Sequence, residues 1–230
     1  LTIGDRTFHC WNRDGHGPMR LRDALMQSCN VYFMQVGRRV GLTRLRTALE
    51  QAGFSRRTGW PLEEQAGHLP RRRLSEGEVA LLGIGQGEIS VTVLQAARLA
   101  GLLANRGSLA GPRLVQRIGD HPPSGGPARQ GVPWSPQTIG AVREGMVAVV
   151  KHPGGTGFRA YTPVVSIAGK TGTAQTHVPE QPHGWFVGFC PVEEPRAAFA
   201  VLTEYGGSGG ELPAEIARTI CEYVDAPDTL

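Results

Sequence analysis

The chain has 230 residues, of which 40% are hydrophobic and 19% charged, a balance ordinary for a globular protein and long enough for a substantial core in one large domain or two small ones. The net charge of +4 comes from scattered basic residues, and the one dense cluster, Arg71-Arg72-Arg73, lacks interleaved aromatics, so it reads as a solvated loop and argues against nucleic-acid binding. Four cysteines are too few for a disulfide scaffold of this length, no apolar run approaches the roughly 18 residues of a membrane span, and no signal peptide opens the chain.

The opening, LTIGDRTFHCW, reads like the middle of a domain. Residues 20–41 place Leu21, Leu25, Tyr32, Val36 and Val40 at helical spacing, with Gly41 as a stop; Ser28-Cys29-Asn30 interrupts the pattern, so one long helix or two meeting there both fit. Thr43 to Gly53 reads as a helix capped by Thr43 and ended by glycine. The stretch 55–76 is mostly loop. Ser75-x-x-Glu78 is a capping box before VALLGIG, and Ser90 or Thr92 starts a strong helix that ends at Gly107. The Gly/Pro-rich stretch 119–133 is a surface loop by composition, and Ser135-Pro136 opens a helix to about Val150.

After Lys151 the texture changes to three short strand-like runs, TPVVSIAGKTGTAQ, GWFVGFCPV and AAFAVLTEY, followed by a helix from Leu212 to Val224. Helices, then strands, then a helix predict an α+β fold: an antiparallel sheet flanked by helices, with a mostly helical subdomain. The helical portion covers about 1–150, and the strands with the terminal helix about 160–225.

Two runs look chemical. In SIAGKTGTAQ, one of only two lysines in the chain sits where a strand would leave an apolar segment. Lys170 supplies point charge, Thr171 and Thr173 supply hydroxyls, Gly172 allows close approach to the backbone, and the Thr173 N–H could face an oxyanion. In Ser28-Cys29-Asn30, a hydroxyl able to relay a proton and an amide able to bind a carbonyl lie two residues apart. Taken singly, the first run reads as a surface turn and the second as a helix cap.

Together the two runs, in this order and about 140 residues apart, resemble the Ser-x-Asn and Lys-Thr-Gly signatures of the penicillin-binding transpeptidases and serine β-lactamases. RTFHCWNRDGHG, LRDALMQSCNVYFMQVGRRVG, GIGQGEISVTVLQAARLAGLLANRG, AGKTGTAQ and HGWFVGFCP are all similar to the monofunctional class B enzymes, most of all the elongation-type penicillin-binding protein 2 group that maintains cell shape. The remaining signature, Ser-x-x-Lys, does not occur: the residues three places before Lys151 and Lys170 are Ala148 and Ile167. In the family it precedes Ser-x-Asn, so the expectation is that the chain is the C-terminal part of one transpeptidase domain, inactive alone, whose nucleophile lies before Leu1.

The resemblance implies acyl transfer on the D-Ala-D-Ala end of peptidoglycan stem peptides, with no cofactor needed for the chemistry. Ser28 would pass a proton to the leaving amine, Asn30 would bind the donor's amide carbonyl, and Lys170 with Thr171 and Thr173 would hold the terminal carboxylate of a peptide or a β-lactam. It also implies a glycosyltransferase partner and a site of action on the periplasmic side of the cytoplasmic membrane, reached through an N-terminal anchor absent here. The alternative is a non-catalytic relative that binds wall peptide or a protein partner. Cys10, His16 and Cys29 have zinc-ligand chemistry at the spacing Cys-x5-His-x12-Cys, and some elongation-type relatives hold a zinc at matching positions; the plainer alternative is a buried thiol beside two loop residues. GIGQG (83–87) lacks the Gly-Lys-Ser/Thr of a phosphate loop and is placed near the cleft only by the resemblance, and His183 reads as a rim histidine.

Overall fold

A computed structural model describes residues 1–121, 129–178 and 180–226. The chain opens on a small ribbon, β1 (Thr2–Ile3) against β2 (Arg6–Thr7), too short to carry a detectable period. The segment 20–41 forms two helices, α1 (Leu21–Met26) and α2 (Asn30–Val40), and the break falls at Gln27-Ser28-Cys29, where Ser28 takes φ +51°. No side chain caps α2, so Ser28 and Asn30 are not spent on capping.

Helix α3 (Leu42–Gln51) corrects the expectation that Thr43 is its cap. Gly41 at φ +78° both ends α2 and starts α3, which leaves Thr43 inside the first turn, where its carbonyl accepts from the Thr47 hydroxyl. The helix does end at a glycine, with the Gly53 N–H on the Glu50 carbonyl. Helix α4 (Glu76–Leu82) has the expected capping box, Ser75 with Glu78. Helix α5 (Val93–Ala104) starts from Thr92, whose box is closed by Gln95; Ser90 instead bridges His68.

Strands β3 (Ser108–Ala110) and β4 (Arg129–Gly131) pair antiparallel, so the end of the stretch expected to be loop is strand, while its residues 122–128 lie outside the described ones. Composition hid β4 because all three of its residues are exposed and it buries no alternating face. Helix α6 (Pro136–Lys151) follows with Ser135 capping Thr138, and a 3₁₀ turn covers Phe158–Ala160.

The main sheet is β5 (Ala168–Ala174), β6 (His183–Cys190) and β7 (Ala197–Thr203), antiparallel in that order, with α7 (Leu212–Asp225) behind it. The period of two sends alternate residues to opposite faces. On one face Phe186 stacks with Phe199 and packs against Ala214, Ala217 and Cys221 of α7 and Val149 of α6. On the other, Ala168 and Phe189 pack against Leu102 and Leu103 of α5 and Met146 of α6. A Cβ on Gly169 would fall 2.2 Å from the Phe186 ring, so the glycine before Lys170 makes room for the core aromatic. Arg143 of α6 is buried over the Phe189 ring and donates to the Leu103 and Ala104 carbonyls at the end of α5, at 2.6 and 3.0 Å, and to Val192 at 2.7 Å. The architecture is α+β, with the sheet between helices and β5 paired on only one side among the described residues.

Candidate active site

The open side of β5 faces the α1–α2 junction. Lys170 Nζ donates to Ser28 Oγ at 2.8 Å, across 142 residues of sequence, and to the Thr171 carbonyl at 2.7 Å. The two runs that look chemical therefore meet in one place. Burial lowers the Lys170 pKa from 10.5 to about 8, because the ammonium gives up solvation that two neutral acceptors only partly replace.

Ser28 holds its position through backbone. Met26 and Gln27 close α1, the Cys29 N–H returns to the Ala24 carbonyl, and the left-handed φ turns the Ser28 side chain out of the helix line toward β5. Trp11 pins the same turn from outside, its indole N–H donating to the Gln27 carbonyl at 2.9 Å. The Asn30 side chain, half-buried at the start of α2, makes no hydrogen bond among the described residues and is free to take a ligand.

Register pairs Lys170 with Val187, Thr171 with Phe186, Gly172 with Trp185 and Thr173 with Gly184. Lys170 and Gly172 thus share one face of β5, Thr171 and Thr173 the other, and the groups converge only along the open edge. A Cβ on Gly172 would lie 3.1 Å from Trp185 Cβ, so this glycine accommodates the neighbouring tryptophan. The Thr171 hydroxyl meets the Thr156 hydroxyl at 2.7 Å, while the Thr156 N–H donates to the Met26 carbonyl at 3.1 Å. Thr156 therefore ties the end of α1 to the lysine-bearing strand. The Thr173 side chain is exposed, and its carbonyl accepts from Gln86 Nε2 at 3.0 Å.

Sequence reasoning missed Thr156 and Trp11 and gave Gln86 no role. Thr156 belongs to no quoted run, Trp11 lies in RTFHCWNRDGHG with nothing there to mark its partner, and the contact with Gln86 spans 87 residues. His183 opens β6 opposite Ala174 and braces the rim: its Nδ1 accepts the Tyr205 N–H at 2.9 Å and its ring stands edge-on to Tyr205.

Cys10, His16 and Cys29 come together beside the Ser28 turn, their ligand atoms all within 4.8 Å of one another. Cys10 Sγ lies 3.5 Å from His16 Nδ1, and His16 Nε2 is buried without a partner among the described residues. Burial pushes the Cys29 thiol up, and the nearby Cys10 adds to the effect. An Asx turn, with Asn12 bonded to Asp14 and Gly15, folds His16 back toward Cys10.

The family model of the penicillin binding protein transpeptidase domain matches residues 2–222. A peptidoglycan D,D-transpeptidase, MrdA of Salmonella typhimurium, is 30% identical over 253 residues, covering 96% of this chain and 40% of its own length. Among solved structures, Pseudomonas aeruginosa PBP2 in complex with WCK 5153 superposes with a TM-score of 0.84 at 32% identity, over 96% of this chain and 50% of that one. Helicobacter pylori PBP2 in complex with MreC gives 0.81 at 29% identity, over 96% and 43%. The chain thus spans about two-fifths of the length of the curated relatives it matches.

Proposed function

Because the chain belongs to the penicillin-binding protein transpeptidase family, we propose that it is the substrate-binding part of a D,D-transpeptidase that cross-links peptidoglycan stem peptides. The observation that carries this is the Lys170 to Ser28 hydrogen bond on the open edge of β5. Acyl transfer requires a serine nucleophile from outside these 230 residues, since no Ser-x-x-Lys is among them. That serine attacks the penultimate carbonyl, D-alanine leaves, and an amine of a neighbouring stem peptide resolves the acyl-enzyme.

Ser28 hands a proton to the leaving amine, a role supported by the hydrogen bond through which the Lys170 ammonium orients its hydroxyl. Asn30 takes the donor's amide carbonyl. Lys170 and the Thr173 hydroxyl hold the terminal carboxylate, with Thr171 fixed by Thr156 beside them. The Thr173 N–H supplies one oxyanion donor, worth about 2.7–4 kcal/mol of barrier. β-Lactams enter the same clamp as carboxylate-bearing mimics of the peptide.

By the same relationship the protein works outside the cytoplasmic membrane with a glycan-polymerising partner. No described helix is long and apolar enough to cross a membrane.

The Cys10, His16 and Cys29 cluster fits three corners of a structural zinc site, whose fourth ligand would come from outside these three residues. Bonds of about 2.3 Å to sulfur and 2.1 Å to nitrogen set a tetrahedral S-to-N edge of about 3.5 Å, the separation of Cys10 Sγ and His16 Nδ1. Bound zinc would hold the two thiolates and His16 Nδ1, locking the loop of residues 10–16 to the Ser28 turn. Elemental analysis of protein purified without added metal should find about one equivalent of zinc per chain, and its absence would remove the zinc proposal.

Labelling the full-length protein with a fluorescent penicillin tests the main proposal. A covalent adduct is expected. Its absence on folded, intact protein would leave a non-catalytic relative that binds wall peptide through the same clamp.

A further inference from the structure

We infer that Gln86 is a place-holder for the substrate's backbone: its side-chain amide occupies the Thr173 carbonyl on the open edge of β5 and yields it when a peptide binds. The inference rests on the transpeptidase reading for the identity of the occupant.

The geometry starts with the α4–α5 loop. Gly85 at φ +71° and Gly87 at φ +87° flank Gln86, and the Gln86 N–H is tied back to the Leu81 carbonyl at 3.0 Å. That turn sends the side chain across to the strand, where Nε2 donates to the Thr173 carbonyl at 3.0 Å. In an antiparallel pair alternate residues turn their N–H and C=O toward the partner or away from it. Thr173 is one that turns away from β6, toward the side of β5 that carries no strand among the described residues. A carbonyl there is a template for an extended chain, whose own N–H would complete the bond.

A primary amide offers the same donor as a peptide N–H. Gln86 thus keeps the edge satisfied while the cleft is empty. Its hold is slight: one neutral hydrogen bond, with Oε1 unpartnered among the described residues. Gln95 shows the contrast. Its side chain is buried and satisfied on both ends, by the Thr92 N–H and by the Arg56 and Ala66 carbonyls, as befits a purely structural amide. A stem peptide or an acylamino β-lactam carries an amide N–H next to the acyl carbon and competes for the Thr173 carbonyl. A carbapenem has no such N–H and leaves Gln86 in place.

The test compares acylation of the full-length protein and its Gln86→Ala variant by benzylpenicillin and by imipenem. Removing the competitor should speed acylation by benzylpenicillin about two- to tenfold, the worth of one neutral hydrogen bond, and leave imipenem unchanged. A slower or unchanged reaction with benzylpenicillin, or an equal change with both drugs, would overturn the inference. A second measurement uses the unmodified protein: the Gln86 side-chain amide resonances should move to their solvent-exposed positions when benzylpenicillin binds and not when imipenem does. If neither drug acylates the unmodified protein, it is the transpeptidase reading that fails. Titration with a peptide ending in D-Ala-D-Ala then reads the Gln86 resonances alone, and a static amide there refutes the place-holder.

Discussion

Raising the pH from 7 to 9 should strip the charge from Lys170, the proposed carboxylate clamp. Lys170 titrates near 8 because burial beside Ser28 disfavours the ammonium. With that midpoint, about nine-tenths of the molecules carry the charge at pH 7 and about one-tenth at pH 9. If only the ammonium form holds an anionic substrate, the second-order rate of acylation by a penicillin should fall about tenfold over that interval. The same lysine acts on stability. Its folded value lies below its unfolded value, so between about 8 and 10.5 the unfolded chain binds more protons and stability rises with pH. Below 8 the fold carries the full cost of burying the ammonium, about 3 kcal/mol for a shift from 10.5 to about 8. Stopped-flow acylation of the full-length protein from pH 6.5 to 10, with urea melts at the same points, measures both effects. A flat rate between pH 7 and 9, or an alkaline limb near 10.5, would refute the claim that burial sets this lysine's charge.

Two substitutions test the frame around it. Arg143→Met should cost about 2–3 kcal/mol in urea unfolding, because it orphans the Leu103 and Ala104 carbonyls at the end of α5. Thr156→Val keeps the shape but removes the hydroxyl that fixes Thr171, so the apparent affinity for penicillin should weaken about three- to tenfold with the unfolding midpoint little changed. A loss in the acylation step at constant affinity would count against this placement of Thr156.

Local chemistry was readable from the chain alone. Ser75 with Glu78 and Ser135 with Pro136 announce their helices because cap and partner lie within one turn. The continuous apolar run GWFVGFC announces β6 because both faces of the sheet are covered. Thr43 misled because a glycine at φ +78° had already taken the turn before it. Strands β2 and β4 expose every residue and are held by pairing alone, and pairing leaves no one-dimensional trace. Lys170 and Ser28 stand out because each sits in a short run of chemical residue types, whereas Trp11 and Gln86 donate to backbone carbonyls of distant residues and Thr156 meets Thr171 from outside any such run. A donor to a backbone carbonyl constrains no partner side chain, so there is no second residue in the sequence to reveal it.

The left-handed turn at Ser28 bears on how far this fold can be made sturdier. A non-glycine residue at φ +51° gives up about 1 kcal/mol that glycine would return. Selection for rigidity alone would therefore discard the hydroxyl that Lys170 holds. A stabilisation screen that scores only thermal tolerance will drift toward glycine here and deliver a robust protein without the hydroxyl proposed to relay the proton. Any such effort should fix residue 28 first and look for its gains in the loops away from β5.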